Sequence, residues 1–311
     1  MNSRYQEVNI VFLITTVVVV AAGFLPLGRM FPNYAMIFIV SQLIIFLPTF
    51  GYVIWSKQRF TQAIGMKRIS LSNAVLLIAF AFCTQFVMNL INAISMIFAK
   101  NEISNVVMGA AEKNPFFITL LCVAIIPAIL EESIYRGIFY HEYRKVNPLA
   151  GALLSGLLFG LLHGNLNQFS YAFCMGFIFS LVVEATDSIL STMIIHFIIN
   201  GTSVVLVYLL PKIQELGQNY GYDLTTQSGV ETVDFTLGAV LHTYGPSAVI
   251  FGIAGFVLFR TIAKNCGRWE HIKEIFRNKG NVSGWKLFTV PLIIAIVFWI
   301  VNMVGAEFMP I

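Results

Sequence analysis

Six residues on three apolar stretches carry the chemistry of this sequence. The first stretch reads Ile126-Pro127-Ala128-Ile129-Leu130-Glu131-Glu132-Ser133-Ile134-Tyr135-Arg136-Gly137, with two adjacent carboxylates and an arginine. On a helix, Glu132 and Arg136 stand at i and i+4 with the acid first, the favourable order for an ion pair. Glu131 points about 100° away and cannot share that contact. The pattern therefore divides the acids: Arg136 neutralises Glu132, and Glu131 stays free to act as a general base. The second stretch ends Phe159-Gly160-Leu161-Leu162-His163-Gly164-Asn165, and the third contains His196-Phe197-Ile198-Ile199-Asn200. His196 and Asn200 are again i and i+4 and share one face. Glu131 and His163 are suited to hold and deprotonate a water, and His196 and Asn200 to donate hydrogen bonds to an oxyanion. Such a hydrolase site needs no serine or cysteine nucleophile. Each piece also has a plain structural reading, as a bundle-stabilising ion pair, a helix-end histidine and interhelical hydrogen bonds.

The composition sets where these groups must lie. Of 311 residues, 58% are hydrophobic and only 11% are charged, against roughly 45–50% and about 25% in soluble domains. The mean hydropathy is +0.80. Such a chain cannot cover itself with polar groups, so a soluble, disordered or nucleic-acid-binding protein is excluded. The net charge of +4 is too small to imply a polyanionic partner. Cys83, Cys122, Cys174 and Cys266 share no CxxC spacing and read as small hydrophobes. A charge at the centre of a bilayer costs at least ~2.5–3.5 kcal/mol, so Glu131, Glu132 and Arg136 mark a functional site by default.

Nine segments are apolar enough to count as candidate spans: about 9–28, 34–55, 72–99, 116–141, 149–163, 168–185, 189–210, 239–261 and 286–306. The fifth and sixth are short and joined by a tight turn, as in a tilted or re-entrant pair. Helices follow because unpaired backbone cannot face lipid. The expected fold is all-α, a polytopic transmembrane helical bundle of eight to nine spans with an intramembrane polar cavity. It forms one membrane domain over 1–311, with a catalytic core at about 115–205 and flanking helices in 1–114 and 206–311. Fourteen of the nineteen Lys and Arg residues fall in one set of loops and four in the other, with Arg136 inside a segment. By the positive-inside rule the N-terminus is cytoplasmic and, with nine spans, the C-terminus lies outside. The first segment reads as an uncleaved anchor. The polar stretch 211–238 holds Asp223, Glu231 and Asp234. The polar stretch 262–285 holds five of the Lys and Arg residues, Lys279 among them, and the 260–286 loop, with His271 and Trp269, reads as partly amphipathic and suited to anionic lipid. Glu184 and Asp187 flank a cytoplasmic turn, where a solvated role is expected.

In order and residue type, Glu131-Glu132-Ser-Ile-Tyr-Arg136, Phe159-Gly-Leu-Leu-His163 and His196-Phe-Ile-Ile-Asn200 resemble the three motifs of the CPBP intramembrane proteases. This group is also called the Abi family and includes the type II CAAX prenyl endopeptidases. The resemblance covers roughly residues 115–205. It implies an eight-helix, glutamate-dependent membrane protease with its active site in a cavity within the bilayer. Carried over, Glu131 resembles the water-activating glutamate with His163 as its partner. Glu132 and Arg136 resemble the pair that orients it, and His196 and Asn200 the oxyanion donors. The nine segments exceed the family's eight; the surplus one is expected to be terminal or a mis-split. By residue counting, Glu131 and His163 sit at different depths on upright helices, so the fourth helix should run past Tyr140 and the 149–185 pair should tilt.

The expected activity is endopeptidase cleavage of a peptide or membrane-protein substrate in the cell membrane, with lipid as the surrounding partner and no nucleic acid. No cofactor is expected. A zinc-dependent version stays open as an alternative, because two histidines and a glutamate can also bind zinc, although no HExxH spacing is present. A non-proteolytic immunity protein or regulatory membrane partner that retains the motif is the second class. A proton-coupled transporter is the third, and the inverted repeats it should show are absent.

Overall fold

The computed structural model describes residues 4–31, 33–100, 103–219, 236–278 and 283–308. Asp223, Glu231, Asp234 and Lys279 lie outside the described residues. Among those described, every element is helical. The numbered helices are, in order, α1 (Tyr5–Gly23), α2 (Tyr34–Trp55), α3 (Leu71–Ser95), α4 (Phe116–Tyr143), α5 (Pro148–Leu161), α6 (Leu166–Thr186), α7 (Leu190–Asn219), α8 (Leu237–Asn265), α9 (Trp269–Asn278) and α10 (Val290–Phe308), with shorter connecting pieces at Leu27–Met30, Phe60–Ala63, Ile103–Lys113 and Gly284–Leu287. All the numbered helices but α5 and α9 are long and apolar enough to cross a membrane, which gives eight spans among the described residues. The chain is a multi-pass membrane protein with an all-α fold.

Local sequence sets the ends of the helices that matter here. Asn147 caps α5 by accepting from the Ala150 N–H at 3.0 Å, with Pro148 at the first helical position. Asn165 caps α6 by accepting from the Gln168 N–H at 2.9 Å. Both are favoured N-terminal signals. Asp187 ends α6 in the left-handed conformation at φ 54°, where a short polar side chain is tolerated. α7 does not stop at 210 but continues through Pro211 to Asn219. Proline inside a membrane helix is tolerated where neighbouring groups satisfy the freed backbone.

The surplus apolar segment is neither terminal nor a mis-split. It is the internal helix α5, whose 14 residues rise only about 21 Å, short of the ~30 Å hydrocarbon core. Chain direction still alternates through it. The Arg4 backbone N–H donates to Glu142 Oε2 at 2.8 Å, and the Asn9 amide donates to the Leu287 carbonyl at 2.8 Å. These contacts place the start of α1, the end of α4 and the start of α10 on one side. On the other, the Lys100 N–H donates to Glu307 Oε1 at 3.1 Å, which joins the ends of α3 and α10.

Glycine lets α5 and α6 approach backbone to backbone. A Cβ on Gly156 would lie 2.7 Å from the Phe173 carbonyl oxygen and 2.9 Å from the Phe177 nitrogen. One on Gly176 would lie 2.7 Å from Gly156 Cα and 3.0 Å from Arg136 Nη2. Small residues at such interfaces are the usual means of close helix packing in membranes. Gly176→Ala is accordingly expected to destabilise the protein by about 1–3 kcal/mol, the range for overpacking. Thermal unfolding in detergent measures this; an unchanged midpoint would mean the two helices can separate at no cost.

One expectation at the α6 terminus is corrected. Glu184 is buried, 1% exposed, not solvated. It accepts from the Tyr140 hydroxyl at 2.9 Å and pairs with Arg144 Nε at 3.2 Å and His271 Nε2 at 2.6 Å. The cause is α9, which folds Arg268 and His271 over the end of α6. The apolar residues of α9, Ile272 and Ile275, pack on Ala185 and Ala263, so protein covers that side of the helix, while Phe276 stays exposed. Asp187, beyond the helix, pairs with Lys67 and with Arg144. Burial alone would raise its carboxyl, but Lys67, Arg144 and Arg268 outweigh this and hold it below the usual aspartate range.

Candidate active site

α4 is not a regular helix where it carries the carboxylates. Two wide π-helical segments, Leu121–Ile125 and Ser133–Tyr140, flank the α-helical turn pair Ile126–Glu132. Such segments are rare and frequent at functional sites. Their irregular turns turn carbonyls toward neighbouring helices. Val123 O accepts from Asn200 Nδ2 of α7 at 3.0 Å, and Tyr135 O accepts from Ser155 Oγ of α5 at 2.9 Å. The glutamates lie at the end of the regular stretch, between the two.

Glu132 and Arg136 form an ion pair at 2.9 Å with both side chains fully buried. His196 Nδ1 lies 2.9 Å from the same carboxylate oxygen, Oε1, and so donates there. The Arg136 guanidinium also faces the rings of Phe159 and Phe179, 4.5 and 5.1 Å from their centroids. Its Nε and Nη2 have no hydrogen-bond partner among the described residues. Cation–π contact with the two aromatic faces is what replaces hydration there.

Glu131 turns the other way. Its side chain is 13% exposed, and its Oε2 lies 3.8 Å from His196 Nε2. Its Oε1 accepts a hydrogen bond from Gln42 Nε2 of α2 at 2.9 Å. The two acids are adjacent in sequence, yet one is closed into a buried ion pair and the other opens on the cavity.

His163 lies just past the end of α5. Its backbone N–H reaches the Gly160 carbonyl, which leaves the Phe159 carbonyl without its helical donor. His163 Nδ1 supplies one at 2.7 Å. The ring therefore carries its proton on Nδ1 and presents Nε2 as an acceptor. Capping a helix end and serving a site are here one arrangement.

Glu131, His163, His196 and Asn200 share the lining of one cavity of about 520 Å³, bounded by α2 to α7 and the short helix Ile103–Lys113. Glu132 and Arg136 lie behind this wall. The extension of α4 to Tyr143, past Tyr140 as expected, accompanies this convergence. Among the described residues, no group of three His, Cys, Asp or Glu side chains is placed to hold a metal ion.

Gln42 was not legible as a site residue, because the flanks of 115–205 carry no motif. Nor were Gln85, Asn89 and Asn92 of α3 and Tyr171 of α6, which also line the cavity. The signal that marks Glu131, a polar group inside an apolar span, applies to these uncharged amides as well.

Fold and site define a class: a multi-pass helical membrane protein with a carboxylate–histidine cavity among its helices. Within that class, residues 113–202 match the family of Rce1-like type II CAAX prenyl endopeptidases, the group that the three motifs resemble. The matched segment runs from the start of α4 into α7 and contains all six motif residues. It supports a CAAX-type intramembrane endopeptidase in general terms. No curated protein and no solved structure matches the chain.

Proposed function

We propose that this chain is an intramembrane endopeptidase in which Glu131 activates a water against a peptide carbonyl. The observation that carries the reading is the division of the two glutamates: Glu132 closed against Arg136 and His196, Glu131 open to the cavity. Glu131 takes a proton from water, while His163 Nε2 accepts that water's second hydrogen bond. The hydroxide adds to the carbonyl carbon. The resulting oxyanion is met by the Asn200 N–H not committed to Val123 and by His196 Nε2, with both ring nitrogens protonated. The proton on Glu131 then passes to the leaving amine as the C–N bond breaks. Glu132 and Arg136 act by holding His196 in place. The reaction takes place in the cell membrane, with the N-terminus and the Arg144, Lys67 and Arg268 face cytoplasmic.

In this reading no metal takes part. Both histidines have Nδ1 engaged, by Glu132 and by the Phe159 carbonyl, which sets the direction of each Nε2. Activity of the purified protein is expected to survive exhaustive dialysis against a chelator; loss on chelation with recovery on zinc addition would assign the chemistry to zinc instead. The function itself is tested by comparing membrane peptidomes of cells carrying the wild type or Glu131→Ala. Peptide termini that vanish with the carboxylate support a protease, and identical peptidomes would favour a non-catalytic partner protein.

A further inference from the structure

α3 contributes an unusual wall to the cavity. Gln85, Asn89 and Asn92 stand at i, i+4 and i+7 and therefore on one face, and all three line the cavity. They lie on a helix apolar enough to span the membrane, outside the segment 113–202 that carries the family match. The Gln85 amide donates to Thr202 Oγ1 of α7 at 3.1 Å. Asn92 Nδ2 finds only the Met96 sulfur at 3.6 Å, and its Oδ1 is buried with no partner among the described residues. Asn89 is exposed into the cavity, and none of the described residues bonds its side chain. A membrane helix does not carry unpaired amides cheaply, so these groups point to a partner from outside the chain.

The chemistry of that partner follows from the amide. Each such side chain offers a donor and an acceptor together, the same pair presented by a peptide group. A helical substrate keeps its peptide groups bonded to itself, whereas an extended one leaves them free. The spacing agrees. Gln85 and Asn89 are separated by about 6 Å along the helix axis, close to the roughly 6.6 Å repeat of same-side groups on an extended strand. The whole stripe rises about 10 Å, the length of about three extended residues. Among the described residues no Lys, Arg or Asp lines the cavity and the carboxylate there is Glu131, so the wall is matched to an uncharged segment.

We propose that Gln85, Asn89 and Asn92 bind the backbone of an extended, uncharged stretch of substrate peptide and lay its scissile carbonyl along the cavity toward Glu131. This rests on reading the cavity as a protease site. Substrates are then selected by their ability to unwind as much as by their side chains, and a helical segment must open before it is cut.

The test uses the full-length protein in lipid nanodiscs and a library of membrane-anchored peptides. Each carries a quenched fluorophore pair across a randomised stretch of roughly eight residues. Cleaved members are expected to be enriched in uncharged, helix-disfavouring sequences. For the best of them, Asn89→Leu is expected to raise KM about ten-fold, the effect of one lost hydrogen bond, with kcat nearly unchanged. Asn89→Gln, which keeps both polar atoms, should restore most of it, and size-exclusion profiles of both variants check folding. An unchanged KM in Asn89→Leu, or enrichment of strong helix formers, would overturn the proposal while leaving the protease reading intact. Cleavage that persists in Glu131→Gln, or no cleavage of any library member by the wild type, overturns the protease reading and the peptide wall with it.

Discussion

Replacement of Glu131 by glutamine is expected to lower kcat about 10²–10⁴-fold, the contribution typical of a general base, with KM and the unfolding temperature little changed. The structure makes this a clean substitution. Glutamine keeps the Oε1 acceptor that Gln42 bonds at 2.9 Å, keeps the side-chain volume, and breaks no ion pair, because Glu131 is not the partner of Arg136. What it removes is the capacity to take a proton. Single-turnover cleavage of an identified substrate by purified wild type and variant measures it, since product release does not mask the chemical step. Loss smaller than ten-fold would move the base to another group, His163 first.

Arg136→Met should have the opposite signature, a structural collapse before any catalytic one. Methionine fills space between the Phe159 and Phe179 rings, but Glu132 then keeps its hydrogen bond from His196 Nδ1 while losing the Arg136 counter-charge at a fully buried position. Breaking a buried pair from one side costs about 3–5 kcal/mol, or roughly 5–8 °C in unfolding midpoint at the usual unfolding entropy per residue. Glu132→Gln strands the guanidinium and should cost a similar amount. The double variant Glu132→Gln/Arg136→Met is expected to regain much of the loss, because the charge is removed from both sides. It should nevertheless remain poorly active, since His196 has lost the carboxylate that orients it. Additive losses in the double variant would show that the pair does not act as a unit. Recovered stability together with recovered activity would show that it is structural only.

The two variants separate what the adjacent acids do, and that separation was already present in the chain. With Glu132 and Arg136 at i and i+4 in an apolar segment, the ion pair and the exclusion of Glu131 from it follow from helix periodicity alone. Charge scarcity likewise marked the membrane class, and the three motifs marked the segment that the family match covers. These are local properties, decided within one helix turn or by composition, and are therefore readable without coordinates.

Tertiary packing decided the rest. Glu184 looked solvated because nothing near it in sequence would bury it; Arg268, just before α9, and His271 within it lie more than eighty residues later. That Ala185 and Ala263 would cover the apolar side of α9 was equally unreadable, because amphipathicity does not say what a helix packs on. The π-helical segments of α4, which turn the Val123 carbonyl to Asn200, have no sequence signature. Most consequentially, Gln42 and the amide stripe of α3 belong to the cavity only because α2 packs on α4 and α3 packs on α6, α7 and α8. A motif can announce which residues do the chemistry. The wall that a substrate meets is made by helices far apart in the chain, and only their packing brings it into being.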